Sequence, residues 1–129
     1  MPPLMLGRCD LMAFVATKDP SRAKTFYEGT LGLRLVADET YALVFDANGT
    51  MLRVQKVREL TPEPFTALGW QVPDIREAIR GLVAKGVAFM RLGLAFFPQD
   101  DLGIWTAGDG TKVAWFKDPD GNILSLTEF

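Results

Sequence analysis

The side chains that could do chemistry in this sequence are few, and their types narrow the possibilities. The chain of 129 residues has no histidine and one cysteine, Cys9. Histidine is the usual acid or base near neutral pH and the commonest metal ligand, so Ser-His-Asp and Cys-His catalysis are excluded. Zinc and non-haem iron sites are also hard to build without it. We expect Cys9 to be a buried structural thiol.

One cationic group stands in a position to bind a ligand. Arg53 and Gln55 alternate with Leu52 and Val54 in a predicted strand, so the two pairs face opposite sides of the sheet. We expect Leu52 and Val54 to face a helix and the polar pair to face away from it. A guanidinium there binds a carboxylate or phosphate bidentately. The alternative is an Arg53 paired with a surface acid or reaching across a dimer.

Neutral polar and aromatic side chains supply the remaining binding groups. Gln55, Gln71 and Ser125 either donate hydrogen bonds to a ligand or satisfy one another. Trp105 and Trp115 are predicted to form an aromatic wall for a planar or hydrophobic ligand, with core or dimer packing as the alternative.

An irregular stretch, 96–110, is the expected setting for part of this wall. Long irregular segments often serve as lids or interface loops. Two exposed phenylalanines would be costly, so Phe96 and Phe97 should meet a ligand or a partner chain.

Two helices must position these groups. Asp19 is a good N-cap and Pro20 suits the first helical turn, and Asp74 starts a second helix. The first helix should end at Gly29 or Gly32, and the second at Lys85-Gly86. Strands are predicted at 10–16, 33–37, 41–45, 51–57, 67–72, 87–91, 112–117 and 123–126.

The elements repeat, which predicts an α+β fold of two βαβββ modules. Tight turns at Asp46 to Gly49 and Asp118 to Asn122 are expected to close a hairpin in each half. The helix-start and hairpin aspartates are 27 residues apart in the first half and 44 in the second, and the 17-residue expansion is 94–110. We predict one domain, 1–129, with module one at 8–57, a connection at 58–65 and module two at 66–129.

The charge pattern and the N-terminus limit the partners. The net charge is −2 and no run of lysine or arginine forms a basic stripe, so nucleic acid is not an expected partner. We find neither a leader peptide at residues 1–7 nor a membrane span. A cytoplasmic protein without a membrane contact is therefore predicted.

Three motifs make the chain resemble the vicinal oxygen chelate superfamily, which contains glyoxalases, bleomycin resistance proteins and extradiol dioxygenases. They are Thr17-Lys18-Asp19-Pro20 with its helix to Leu33, Gly69 to Ile75, and Phe116 to Asn122. The resemblance covers nearly the whole chain. It implies two modules whose sheets curl around a cup, with helices on the outer faces, and a homodimer.

The resemblance also implies a divalent metal held in the cup by His and Glu side chains. The matching positions are Met12, which shares its face with Phe14, then Arg53 or Gln55, Ala67, and Ser125. None is a carboxylate or imidazole, so we predict no metal and no cofactor.

The favoured hypothesis is a homodimer without a metal that binds a small organic molecule in the cup, in the mode that the resemblance to bleomycin resistance proteins implies. The predicted binding residues are Met12, Phe14, Arg53, Gln55, Gln71, Phe97, Trp105, Trp115 and Ser125. One alternative is a metal-dependent lyase, isomerase or dioxygenase-type enzyme. Another is an interaction domain whose cup is plugged by Met12, Phe14 and Trp115.

Overall fold

The computed structural model describes residues 5–129. Residues 1–4, which enter the sequence argument about a leader peptide, lie outside this range. The chain divides into two compact units, Met1–Leu60 and Thr61–Phe129, and their boundary falls inside the predicted connection 58–65. No helix between residues 5 and 129 is long and apolar enough to cross a membrane.

Within residues 5–60, the first unit consists of a short 3-10 helix at Leu6–Arg8, one mixed four-stranded sheet and one α-helix. Strand β1 is parallel to β4, and the other neighbours are antiparallel, in the order β1-β4-β3-β2. The helix ends in a π-helical turn, Thr25–Thr30, which the sequence did not predict. The elements are β1 Met12–Thr17, α1 Pro20–Lys24, β2 Arg34–Asp38, β3 Ala42–Ala47 and β4 Thr50–Lys56.

The second unit repeats this plan. Its sheet order is β5-β8-β7-β6, again with the first strand parallel to the last. The predicted α+β fold of two βαβββ modules is therefore confirmed. The elements are β5 Thr66–Gln71, α2 Ile75–Ala84, β6 Trp105–Thr106, β7 Lys112–Lys117 and β8 Ile123–Glu128.

Both helices begin where the sequence predicts. The Asp19 carboxylate accepts a hydrogen bond from the Arg22 amide at 3.2 Å, and Asp74 accepts one from the Glu77 amide at 3.2 Å. Each bond satisfies a donor that the first helical turn leaves without a partner. These caps fix the point at which the chain turns from a strand into a helix.

The closing turn is built around a buried carboxylate. Asp118 is 5% exposed, and its Oδ1 accepts hydrogen bonds from the Asp120 and Asn122 amides at 3.0 and 2.9 Å. Gly121 has a φ of 93°, which only glycine adopts readily. The predicted turn is therefore confirmed, and it sets the register of β8 on β7.

The predicted strand at 87–91 is wrong. Only Phe89 forms a bridge to β7, although the Met90 amide also donates to a β7 carbonyl at 2.7 Å. The Gln99 side chain takes the place of further strand pairing. Its Nε2 donates to the Met90 carbonyl at 3.0 Å, and its Oε1 accepts from the Leu92 amide at 2.7 Å.

The expansion 94–110 contributes a short strand, β6, to the outer edge of the second sheet, next to β7. Strand β6 pairs with β7 through Trp105 with Val113 and Thr106 with Lys112. The edge of the second sheet is thus divided between Phe89 and β6. This division brings Trp105 onto the sheet, where the sequence predicted only irregular chain.

The prediction for Cys9 is also wrong. Its side chain is exposed, because it lies before β1 and outside the packed core.

Candidate functional site

The polar face of the first sheet is arranged as the alternation in β4 predicts. Leu52 and Val54 are buried, whereas Arg53 is half-buried and Gln55 is exposed. In β1, Phe14 lies beside Arg53, and it is 49% exposed. The structure therefore brings Phe14, Arg53 and Gln55 together on one face of one sheet.

Met12 lies one row further along this face. It pairs with Met51 of β4, and the two side chains are 43% and 41% exposed. Residues in register on neighbouring strands project to the same side of a sheet. Met12 and Phe14 are thus exposed groups of this face of the first unit.

The Arg53 guanidinium already has a partner. Its Nη2 donates to the Glu39 carboxylate at 3.0 Å. Beside this pair, Lys56 Nζ donates to Asp38 at 2.6 Å and to the Glu39 carbonyl at 2.7 Å. The Lys56 hydrogen bond lowers the pKa of the Asp38 carboxyl below its ordinary value. An anionic ligand would have to compete with Glu39 for Arg53.

On the second sheet, Ser125 lies at the centre of a row across three strands. It pairs with Gly69 of β5 on one side and with Trp115 of β7 on the other. A side-chain carbon at Gly69 would stand 2.8 Å from Ser125 Oγ. The missing side chain at Gly69 therefore gives the serine hydroxyl its space above the sheet.

The next row of this face holds Gln71. Gln71 pairs with Thr127, Thr127 with Val113, and Val113 with Trp105. Gln71 is exposed, and its strand lies two strands from β7, which carries Trp115, and three from β6, which carries Trp105. It shares their face without being in register with Trp115.

Three aromatic side chains form a continuous surface on the second unit. The ring centroids of Phe97 and Trp105 are 4.9 Å apart in an edge-to-face arrangement, and those of Trp105 and Trp115 are 6.4 Å apart. All three side chains are half-buried. Such distances are typical of interacting rings, and we call Phe97, Trp105 and Trp115 the aromatic surface.

The loop that carries Phe97 is tied down by hydrogen bonds. Gln99 holds three backbone groups, because its Nε2 also donates to the Gly103 carbonyl at 2.8 Å. Asp100 Oδ1 accepts from the Leu102 and Ile104 amides, each at 2.9 Å. The guanidinium of Arg91 donates to two carbonyls of the same loop. The aromatic surface is therefore presented by an ordered loop.

A small hollow lies next to Trp115. Its volume is about 220 Å³, and its lining is almost entirely apolar. Sequence reasoning missed most of these residues, since only Trp115 was proposed as a binding residue. Met90 lay in the predicted strand 87–91 and Leu92 directly after it, so neither was expected to line a hollow. The lining residues are Pro64, Phe65, Thr66, Met90, Leu92, Trp115 and Ile123.

The donor atoms at the predicted ligand positions do not suit a divalent metal. In the first unit these positions hold the Met12 thioether and either the cationic Arg53 or the Gln55 amide, and in the second they hold Ala67, which has no donor atom, and the Ser125 hydroxyl. Such ions prefer carboxylate and imidazole ligands. Within residues 5–129, no three His, Cys, Asp or Glu side chains come close enough to hold a metal.

Comparison with known proteins gives one family. The model of the Glyoxalase/Bleomycin resistance protein/Dioxygenase superfamily matches residues 9–126. Among solved structures, a member of that superfamily from Sphaerobacter thermophilus DSM 20745 is 25% identical, with a TM-score of 0.72 over 93% of this chain and 96% of that one.

More distant structures share the fold. A glyoxalase family protein from Enterococcus faecalis is 21% identical, with a TM-score of 0.74 over 96% of this chain and all of that one. A lactoylglutathione lyase from Agrobacterium tumefaciens is 15% identical, with a TM-score of 0.70 over 98% and 95%. No curated protein sequence matches the chain at a significant level.

Proposed function

The chain belongs to the Glyoxalase/Bleomycin resistance protein/Dioxygenase superfamily, and on that premise we propose that it binds a small, planar organic molecule on its second module without the help of a metal. The observation that carries the proposal is the aromatic surface, Phe97, Trp105 and Trp115. Its rings contact one another yet stay half-buried. A single half-buried ring is ordinary on a protein surface, whereas a contiguous group of exposed apolar rings is typical of a ligand or interaction site.

The shape beside these rings favours a flat ligand. The hollow next to Trp115 holds about 220 Å³, which is below the ~300–1,000 Å³ of most ligand pockets. It would accept one ring or a short apolar arm, while the remainder of the ligand stacks on Trp105 and Phe97. Each ring contact of this kind contributes about 0.5–1.5 kcal/mol.

The polar groups on the same face support a neutral ligand. Ser125 and Gln71 offer uncharged hydrogen-bonding groups. Arg53, which the sequence favoured as an anchor for an anion, is paired with Glu39. We therefore propose neutral recognition, with aromatic stacking as the main source of affinity and the two polar side chains as the source of orientation.

The two alternative functions have less support. A metal-dependent lyase or dioxygenase needs ligands that Met12, Arg53, Gln55, Ala67 and Ser125 do not provide. A plugged interaction domain would bury its plug, whereas Met12 and Phe14 are exposed.

A fluorescence titration with N-phenylnaphthylamine, a neutral planar probe, tests the proposal. We expect saturable binding that quenches tryptophan emission. Trp105→Leu should weaken it about 5- to 10-fold, the equivalent of one lost ring contact. Tyr41→Leu, at an exposed aromatic residue of the first unit, is the control and should bind as the unmodified protein does. Equal affinity of all three proteins would contradict the proposal.

Native mass spectrometry of the protein as purified complements the titration. It would report a ligand retained from the cell, and it would also test the homodimer that we propose as the assembly. A stoichiometric divalent metal in that spectrum would favour the enzyme alternative.

A further inference from the structure

The turn between β3 and β4 contains the pair Asn48-Gly49, and we propose that it is a site of spontaneous chemical modification, at which Asn48 is converted to aspartate and isoaspartate. Both residues are exposed. The other asparagine of the chain, Asn122, is 8% exposed and precedes Ile123, whose β-branched side chain crowds its own backbone nitrogen. The reaction needs no ligand, so it goes beyond the proposed function and does not depend on it.

The turn itself supplies both reacting groups. The Gly49 backbone nitrogen gives its proton to solvent and attacks Cγ of the Asn48 side chain. The new bond closes a succinimide ring, while the bond from Cγ to Nδ2 breaks and Nδ2 leaves as ammonia after taking a proton from water. A water molecule then opens the ring at one of its two carbonyl groups, which gives either aspartate or isoaspartate. Water is the only co-reactant.

The local geometry favours this pair of residues. Gly49 has no side chain to shield the attacking nitrogen, and a side-chain carbon built there would meet no atom within 4 Å. Asn48 has a φ of 51°, in the left-handed region that a residue with a side chain occupies at a cost in energy. Closing the ring requires the turn to rearrange, and departure from this conformation costs less than departure from a relaxed one.

The Asp46 carboxylate slows the reaction. Its Oδ1 accepts a hydrogen bond from the Gly49 amide at 3.0 Å, and its Oδ2 lies 3.5 Å from Arg34 Nη2. The attacking nitrogen must lose the proton of that hydrogen bond, and an anion beside it disfavours a second negative charge. The hydrogen bond is exposed to water, so it limits the rate of conversion without preventing it.

Two Asp-Gly pairs could form the same ring, and the structure disfavours both. The Oδ1 of Asp109 accepts a hydrogen bond from the Thr111 amide at 2.9 Å, and hydrogen bonding to Thr111 holds the pKa of Asp109 below its ordinary value. The Asp109 carboxyl therefore stays ionised near neutral pH, where it is a poor electrophile. In the pair Asp120-Gly121, the Gly121 amide donates to the Asp118 carbonyl at 3.0 Å inside the buried closing turn.

The two products should affect the hairpin differently. Aspartate adds one negative charge beside Asp46, whereas isoaspartate also lengthens the backbone by one carbon. The residues on either side of the turn, Ala47 and Thr50, pair directly, so a longer turn strains their register. The same two strands bring Phe45 and Leu52 into the core. We therefore expect the isoaspartate form to be less stable than the aspartate form.

Peptide mapping by mass spectrometry, after incubation of the folded protein at mildly alkaline pH, tests the proposal. We expect the mass gain that replaces NH₂ by OH at Asn48 and not at Asn122, with a rate that rises with pH. Asp46→Ala should accelerate the conversion about 2- to 10-fold, which corresponds to one lost hydrogen bond. Asp101→Ala removes an exposed carboxylate of the second unit and should leave the rate unchanged. An unmodified Asn48, or no acceleration in Asp46→Ala, would overturn the proposal.

A second measurement compares the products. Anion exchange separates the modified protein, and Asn48→Asp provides the pure aspartate form as the reference. We expect the isoaspartate form to unfold at a lower urea concentration than Asn48→Asp does. Equal midpoints would refute the predicted strain in the hairpin, and a further mass gain at position 48 of Asn48→Asp would refute the assignment of the site.

Discussion

Removing the Asp118 carboxylate should destabilise the protein far more than the same change in the equivalent turn of module one. Asp118 is 5% exposed, and besides its two bonds to backbone amides, its Oδ2 accepts from Asn122 Nδ2 at 2.8 Å. A hydrogen bond to a charged group contributes about 1.5–3 kcal/mol. Three bonds that share one carboxylate are not additive, so Asp118→Ala should lower the free energy of unfolding by about 3–4 kcal/mol.

The matched control is Asp46→Ala. Asp46 occupies the same place in the first hairpin, and its carboxylate accepts from the Gly49 amide in an exposed turn. Water can replace that bond, so the expected loss is under about 1 kcal/mol. The contrast between the two variants depends on burial and on the number of bonds lost, since the Asp118 carboxylate accepts three hydrogen bonds, whereas Asp46 accepts one and also pairs with the exposed Arg34 at 3.5 Å.

Asp118→Asn distinguishes the two oxygen atoms. Oδ1 accepts both backbone amides, and an asparagine carbonyl can keep those bonds. Oδ2 would become an NH₂ group facing the donor of Asn122. We expect a loss of about half that of the alanine variant.

The assay is urea denaturation followed by tryptophan fluorescence and circular dichroism, with the slopes compared to confirm equal exposed surface. If Asp118→Ala costs no more than Asp46→Ala, or if asparagine is as harmful as alanine, the account of this turn is refuted.

Three further predictions concern Gly69, Gln99 and the Asp38–Lys56 pair. Gly69→Ala should lower the free energy of unfolding, measured by urea denaturation, by about 1–2 kcal/mol, because the new methyl group crowds Ser125 Oγ. In the double variant, Ser125→Ala removes that oxygen and should restore part of the lost stability. Gln99→Leu removes three hydrogen bonds and should raise hydrogen exchange in the loop that carries Phe97, with little change in β8. The pKa of Asp38 is lowered, so its pairing with Lys56 stabilises the fold at pH values above the ordinary pKa of aspartate. This stabilisation is lost as the pH falls through the pKa of Asp38 in the folded protein. Lys56→Met should therefore raise the titration midpoint of Asp38, measured by carboxyl NMR.

The fold was predictable because local signals agreed with one another. Asp19 and Asp74 cap their helices, and the alternation of Leu52 and Val54 with Arg53 gave the buried and exposed faces of β4 correctly. Hydrophobic period and capping chemistry are encoded within a few residues. Such features can be deduced without knowing what the chain folds against.

The errors arose where a distant side chain replaced a local pattern. A strand was predicted at 87–91, where four apolar residues precede Arg91, but the Gln99 amide binds Met90 and Leu92 instead. Nothing in the local sequence indicates that the side chain of a residue nine positions away will hydrogen-bond these backbone groups. The same limit applies to Arg53: pairing with a surface acid was one of the alternatives that the sequence left open, but the sequence did not identify Glu39 as that acid.

Some residues of the candidate site could be proposed from the sequence, whereas the contacts between them could not. The face of Trp115 followed from strand alternation. Phe96 and Phe97 were both expected to meet a ligand or a partner chain, and in the structure Phe97 packs on Trp105 while Phe96 is 74% exposed. The contact between Trp105 and Trp115 depends on β6, a two-residue strand at the end of a long insertion. Too few residues form β6 for a periodic signal, so its pairing could only be seen in the structure.

The most direct test of the central claim is a titration of N-phenylnaphthylamine after exhaustive treatment with a strong chelator, with and without added divalent metal. If the second module binds its ligand through Phe97, Trp105 and Trp115, affinity should be unchanged by chelation, unchanged by added metal and weakened by Trp105→Leu. Binding that disappears on chelation and returns with a divalent metal, or that is indifferent to Trp105, would contradict it.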